Sequence, residues 1–346
     1  MSELDFCKEM NIAHPIIQAG MAGGITTPEL VAAVATNGCL GTIGAGYMSA
    51  PKLKEEIKQV KMLTSKPFAV NVFAINLETY SNEVAEMQQF LNKYRQELSI
   101  NEGSREIKVR DHLHEKIQVI LDENIPIVST AFGVLTASLI ERLKANQVKL
   151  IGMATNVYEA KLLEEAGYDA VVAQGYEAGG HRSTFDLNRF HDNADLGLIA
   201  LVERFKANLQ LPIIAAGAIH TREQIKGLLA MGVSAVQLGT KFLIAREAGT
   251  NAAYRHALIQ AEAEDTQITR AFSGRPARAV KNRFIDDLEQ SKLNSLPFPL
   301  QNEMTKDIRA TAKEFSLADL QSLWAGQGVG EIKKEESVKQ IINSLI

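Results

Sequence analysis

Short apolar runs recur along the chain, separated by longer stretches with helical patterning. Eight runs stand out: residues 15–20 (PIIQAG), 40–46 (LGTIGAG), 68–74 (FAVNVFA), 125–130 (IPIVST), 149–155 (KLIGMAT), 170–174 (AVVAQ), 212–219 (PIIAAGAI) and 235–243 (AVQLGTKFL). They are continuous rather than alternating, the pattern of parallel strands covered on both faces. Between them, residues 28–36 follow Thr26-Thr27, candidate N-caps ahead of a proline. Residues 51–63 carry lysines and glutamates on one face, and residues 157–166 and 221–231 each end at a glycine, Gly167 and Gly232, as helices often do. Eight strands alternating with helices predict a (β/α)8 barrel, with a doubly wound open sheet as the competitor because local pattern does not show closure.

Two stretches break the repeat. Residues 75–110 are polar and helix-patterned, and the chain after about residue 265 contains FSGRPARAVKNRF, a loop-like NSLPFPLQN and a helical run to the end. The expectation is a barrel from residues 1–74 and 111–264, with 75–110 and 265–346 folding over its top as a smaller substrate domain. Cys39 and Met62 read as core or core-edge residues, and the methionines as core filler.

Composition narrows the function classes. The 346 residues are 46% hydrophobic and 23% charged, enough to bury a large core, and the formal net charge of −4 gives no footprint for nucleic acid or an anionic membrane. Two cysteines, Cys7 and Cys39, cannot make a disulfide framework and read as free thiols in a reducing compartment. The seven histidines are scattered, with no metal-ligand spacing. The first residues, MSELDFCKEMN, lack a secretory pattern, and no apolar run approaches the ~20 residues of a membrane span. A cytoplasmic, soluble protein is expected, with no metal, nucleic-acid or membrane partner.

In such a barrel the chemistry sits where strands end. Glycine-bearing turns after the seventh and eighth runs, at Gly217 and at Gly239-Thr240, are where main-chain N–H groups of many barrels hold a phosphate. The same glycines could simply permit tight turns, and Lys241 could add charge or be solvated. Asn71 and Gln174 are amides at strand ends that either meet a heteroaromatic ligand or cap nearby backbone. Gly179-Gly180 lets the main chain approach a ring or phosphate, and His181 projects from the same turn with a side chain that titrates near neutrality. Arg182 either steers an anion or is structural, and Glu177 braces the turn. His14, His112, His114, His191, His220 and His256 have no comparable setting.

PIIQAGMAGG, VNVF, QGYEAGGH, PIIAAGAI, QLGTKFL, GRPAR with VKNRF, and LWAGQG at residues 323–328 together resemble the nitronate monooxygenases, once called 2-nitropropane dioxygenases, in their bacterial class I branch. The resemblance implies noncovalent FMN. Family positions map onto Met21, Gly23, Asn71, Gln174, Gly179 and Gly180 around the flavin, and onto Gly217, Gln237, Leu238, Gly239 and Thr240 around its phosphate. The catalytic histidine lands on His181. The activity implied is oxidation of alkyl nitronates such as propionate 3-nitronate by O2, through a flavin semiquinone, to a carbonyl compound and nitrite, in a possible homo-oligomer. Two positions depart from the family pattern: Gly20 stands where proline is common, and Ser183 where glycine is frequent. Residues 297–302 (PFPLQN) are a candidate part of the substrate pocket. The alternatives are the related FMN-dependent enoyl-acyl carrier protein reductase II, an NADH:quinone reductase, or a non-catalytic binder of phosphate ligands.

Overall fold

Each apolar run folds as a strand because neighbours cover it on both faces. The computed structural model describes residues 1–77, 79–107, 109, 112–190 and 195–346. In chain order its strands are β1 (Ile16–Gln18), β2 (Gly41–Gly44), β3 (Phe68–Phe73), β4 (Ile127–Ala131), β5 (Lys149–Ala154), β6 (Ala170–Gln174), β7 (Gly180–His181), β8 (Ile213–Ala216), β9 (Ala235–Leu238), β10 (Thr266–Thr269) and β11 (Ala277–Val280). Eight of them form one parallel sheet in the order β1-β9-β8-β6-β5-β4-β3-β2. The ring closes just before β2: Gln18 N–H donates to the Leu40 carbonyl at 2.9 Å, and Leu40 N–H donates to the Ile16 carbonyl at 3.0 Å. This is the expected (β/α)8 barrel rather than a doubly wound sheet.

Alternation along the strands divides two cores. Ile17, Ala69, Ile127, Ile151, Ala170, Val172 and Ile214 form one cluster with Phe6 and Met10, so the first helix, Glu3–Met10, packs into the barrel interior. Val70, Val72, Val128, Val171 and Ala173 face outward into a larger core shared with the helices. The Thr27 hydroxyl accepts from Leu30 N–H at the start of Pro28–Thr36, as read, and Thr221, counted in the sequence as part of its helix, instead caps Arg222–Ala230 in a capping box with Gln224. Two readings are corrected. The run 235–243 is strand only as far as Leu238, after which Thr240–Leu243 turns helical. Met62 is 78% exposed at the end of Ala50–Leu63, whereas Cys39 is buried as expected.

The irregular stretches meet in a third core. Met87, Leu91 and Tyr94 of the helix Val84–Glu97 pack with Phe272, Phe284, Leu288, Leu300, Met304 and Ile308. Arg95, almost wholly buried, ties them together. Its Nε donates to Asp307 Oδ2 (2.7 Å) and its Nη2 to the Met304 carbonyl (2.6 Å), so the helix Lys306–Glu314 is held in register. A small antiparallel sheet, β10-β11-β7, carries the tail to the barrel mouth, pairing Ala277 with His181 and Arg278 with Gly180. The last helix, Val338–Leu345, instead buries Val338, Ile341, Ile342 and Leu345 in the outer barrel core, each contributing roughly 1.5–3 kcal/mol. Among the described residues no helix is long and apolar enough to cross a membrane, and no group of three His, Cys, Asp or Glu is placed to hold a metal.

Candidate active site

The glycine turns and the histidine loop share the carboxyl end of the barrel. Gly175 N–H, directly after β6, donates to the Ala216 carbonyl at 2.8 Å, and a Cβ on Gly217 would come within 3.5 Å of Gly175 Cα. Six residues beyond Gly175, His181 sits in β7. Both ends of the Gln174 amide hold this loop: Nε2 donates to the His181 carbonyl (2.9 Å) and Oε1 accepts from Ser183 N–H (2.8 Å). Gln174 thus braces the backbone of this loop, with a second amide hydrogen and a second oxygen lone pair still to offer. Arg182 is structural too. Its buried guanidinium donates to the carbonyls of Gly175 (2.5 Å) and Gln174 (3.2 Å). Glu177 accepts from Leu198 N–H with both carboxylate oxygens, at 3.0 and 3.1 Å.

The turn after β8 is strained in a way that serves a ligand. Gly217 has φ +150°, and Ala218 has φ +48°, a left-handed conformation that non-glycine residues rarely adopt. The Ala218 carbonyl is held by His220 Nδ1 (2.9 Å) and by Gln224 Nε2, which donates at 3.2 Å. His220 thus belongs to the site's scaffold, unlike its sequence setting suggested. Among the described residues the N–H groups of Gly217, Ala218 and Gly239 have no protein acceptor. Beside Gly239, the Thr240 hydroxyl accepts from Gly326 N–H at 2.9 Å and keeps its own proton to donate. Lys241 is half-buried and pairs with Glu336 at 3.6 Å rather than being solvated.

Several mapped positions surround this cradle. Met21 Sδ lies 3.8 Å from where a Gly239 Cβ would be, and Gly23 (φ +86°) and Gly180 (φ +71°) have open space in place of a Cβ. Gln237 points into the barrel, since its neighbours Val236 and Leu238 face the outer core. The Leu238 carbonyl accepts from Ala19 N–H at 2.9 Å, which ties β9 to the loop after β1. Asn71 donates to Ser129 Oγ at 2.9 Å and lies over Gly20, where any Cβ would be 2.5 Å from Asn71 Cβ. Gly179 is spent on packing: its Cβ would strike Gly326 N at 2.3 Å. Ser183 donates to the Met153 carbonyl (3.1 Å) and accepts from Phe132 N–H (3.0 Å), so the hydroxyl locks the loop against β5. An anion gripped by main-chain amides, with a flat ring against bare backbone, fits these residues.

His181 is half-buried in an aromatic wall, its ring 5.1 Å from Trp324, 5.8 Å from Phe132 and 6.4 Å from Phe298. Burial pushes its pKa down to about 3, and the Arg275 and Arg309 cations add to the fall. The ring does not titrate near neutrality here; it is neutral until an anion arrives to offset the two cations. Arg275 lies 4.2 Å over the Phe132 ring, and Arg309 Nη2 donates to Asn302 O (2.8 Å) and Oδ1 (3.0 Å). Tyr47 is 41% exposed, yet surrounding protein pushes its hydroxyl up to about 12, a pairing expected of a side chain facing a cleft. Tyr47, Phe132, Ser273, Arg309 and Trp324 escaped the sequence reading, though Trp324 and Arg275 lie in motifs it had marked. His14, His112, His114 and His256 stand apart from the wall, and His191 lies outside the described residues.

Comparison with known proteins agrees with this geometry. A sequence model of the family described as "Nitronate monooxygenase" matches residues 5–346. A protein of Staphylococcus haemolyticus named "Probable nitronate monooxygenase" is 38% identical over 340 residues, covering 98% of this chain and 95% of its own. The solved nitroalkane oxidase of Streptomyces ansochromogenes superposes with a TM-score of 0.91 at 35% identity, covering 99% of this chain and 96% of that one. FabK of Thermotoga maritima gives 0.76 at 28% identity, over 99% and 94%.

Proposed function

This chain belongs to the nitronate monooxygenase family, and from that premise we propose that it is an FMN-dependent oxidoreductase converting alkyl nitronates and O2 to carbonyl compounds and nitrite. The observation that carries the reading is an imidazole in an aromatic wall, with the buried Arg275 and the half-buried Arg309 near it, at the same barrel end as unpaired main-chain donors. Gly217, Ala218 and Gly239 N–H groups and the Thr240 hydroxyl would hold the FMN phosphate, with Gln237 beneath. Met21, Gly23, Asn71 and Gly180 would border the ring. When bound, FMN supplies the one-electron redox chemistry that links the nitronate to molecular oxygen.

The protein's part is recognition and orientation. A nitronate is already an anion, so no base is needed to make it one. Arg275 and Arg309 draw the anion inward, and their field falls on the face of His181. Once the bound anion offsets the two cations, the imidazole can take a proton on the nitrogen facing the substrate and donate it in a hydrogen bond, and the aromatic wall of Phe132, Phe298 and Trp324 excludes water around it. A carboxylate in addition to the nitronate, as in propionate 3-nitronate, suits a pair of guanidiniums. In this reading residues 1–74 and 111–264 carry the cofactor while 75–110 and 265–346 cover the substrate. The two free, buried cysteines suit a cytoplasmic enzyme.

The test is an absorbance spectrum of the purified protein followed by oxygen-electrode assays. A flavin spectrum and oxygen uptake with propionate 3-nitronate alone are expected, falling about a hundredfold in His181→Asn. A protein that stays colourless after FMN reconstitution refutes the proposal. Oxidation of NADH without nitronate would move the function to the reductases that share the fold.

A further inference from the structure

Ser273, in the tail just ahead of β11, is buried with its Oγ 2.8 Å from His181 Nε2. The same hydroxyl donates to the Arg275 carbonyl at 3.2 Å and accepts from Arg275 N–H at 3.3 Å. A hydroxyl has one proton to give. Given to the imidazole, it would leave the Arg275 carbonyl, in a buried segment, without its donor among the described residues. Given to that carbonyl, it leaves only a lone pair toward the ring, and Nε2 must then carry hydrogen.

The ring has little freedom to evade this choice. Gln174 Nε2 donates to the His181 carbonyl, β7 is paired to β11 through Ala277, and Phe132, Phe298 and Trp324 flank the imidazole. We infer that Ser273 is a positioning residue that holds His181 as the Nε2–H tautomer, so that Nδ1 is its only basic nitrogen. This rests on the reading of His181 as the substrate-contacting residue and adds to it which ring atom can take a proton. Any substrate whose carbon acid must first be ionised would have to meet Nδ1.

The direct test is nitrogen NMR of the cofactor-loaded protein labelled with 15N-histidine, with His181 assigned by its loss in His181→Asn. Wild type and Ser273→Thr should both show a protonated Nε2 and an unprotonated Nδ1. In Ser273→Ala the two shifts should move toward each other as the tautomers mix, and kcat/KM for a nitronate should fall roughly three- to tenfold, the worth of one net hydrogen bond. A wild-type proton on Nδ1 overturns the inference, as does a Ser273→Ala ring with unchanged shifts. If Ser273→Ala does not fold, the wild-type and Ser273→Thr spectra still decide. Lack of nitronate turnover by wild type would refute the function above, whereas the tautomer result answers separately.

Discussion

Gly179→Ala is the most revealing single change, because Gly179 and Gly180 are neighbours in one motif with different physical duties. A Cβ on Gly179 would lie 2.3 Å from Gly326 N and 2.5 Å from Ala325 C. Both are backbone atoms, so neither can swing aside as a flexible side chain would. Overpacking of this kind costs roughly 1–3 kcal/mol. Pushing residues 325–327 away would also weaken the Gly326 N–H bond to Thr240 Oγ1 (2.9 Å) and the Gln327 N–H bond to the Glu177 carbonyl (3.0 Å), each worth about 0.5–1.5 kcal/mol. The sum, about 2–6 kcal/mol, is a large part of the ~5–15 kcal/mol by which domains are stable. Gly180→Ala is the control. Its Cβ would enter open space, so it suffers only the left-handed backbone penalty of roughly 1–2 kcal/mol. Urea unfolding of both variants, with kcat/KM and flavin retention, gives the comparison. Gly179→Ala should be the less stable of the two and should retain flavin poorly, because the Thr240 contact moves. A Gly179→Ala protein within 1 kcal/mol of wild type, or one more stable than Gly180→Ala, would refute the packing argument (a threshold at the low end of the expected cost).

Two further outcomes follow from the charged wall of the site. Arg309→Met should lower kcat/KM for every nitronate, because each is an anion, and about tenfold further for one that also bears a carboxylate, the pattern of a lost charge-assisted contact; equal losses on both substrates would count against it. For pH, His181 binds its proton less readily folded (pKa about 3) than unfolded (about 6.5), so the unfolded state takes up more protons between those values. Its contribution to stability is complete above pH 6.5 and declines as pH falls toward 3. Urea midpoints at neutral and mildly acidic pH should therefore drop more steeply for wild type than for His181→Asn, and parallel slopes would show that the ring is not held neutral.

The barrel was legible in the chain because burial on both faces leaves an unbroken apolar run wherever a strand lies. Thr27, Thr221, Gly167 and Gly232 marked helix ends through chemistry that acts over three or four residues. The strands β7, β10 and β11 were not legible. They are two to four residues long, contain glycine, polar side chains or an arginine in place of an apolar run, and lie where the tail folds back on the histidine loop. The same non-local origin hid Ser273 and Arg309, which reach His181 from about 90 and 130 residues downstream in the chain. Gln174 was read by its chemistry as serving backbone or ligand, and its backbone partners, His181 O and Ser183 N, are set by a loop whose path the sequence does not spell out. The lowered pKa of His181 depends first on its burial and then on the Arg275 and Arg309 cations, which no stretch of adjacent residues encodes.

Gly326 and Gln327 fasten the tail at once to Thr240, beside the phosphate turn, and to Glu177, in the histidine loop. During synthesis the ribosome would have released every barrel strand well before these two residues emerged. A nascent chain would therefore hold every barrel strand while its two working loops were not yet coupled, and gain its ability to turn over substrate only near the close of translation. Premature termination before residue 326 would also strip Val338, Ile341, Ile342 and Leu345 from the outer barrel core, so such a product should be both inert and less stable than the full chain.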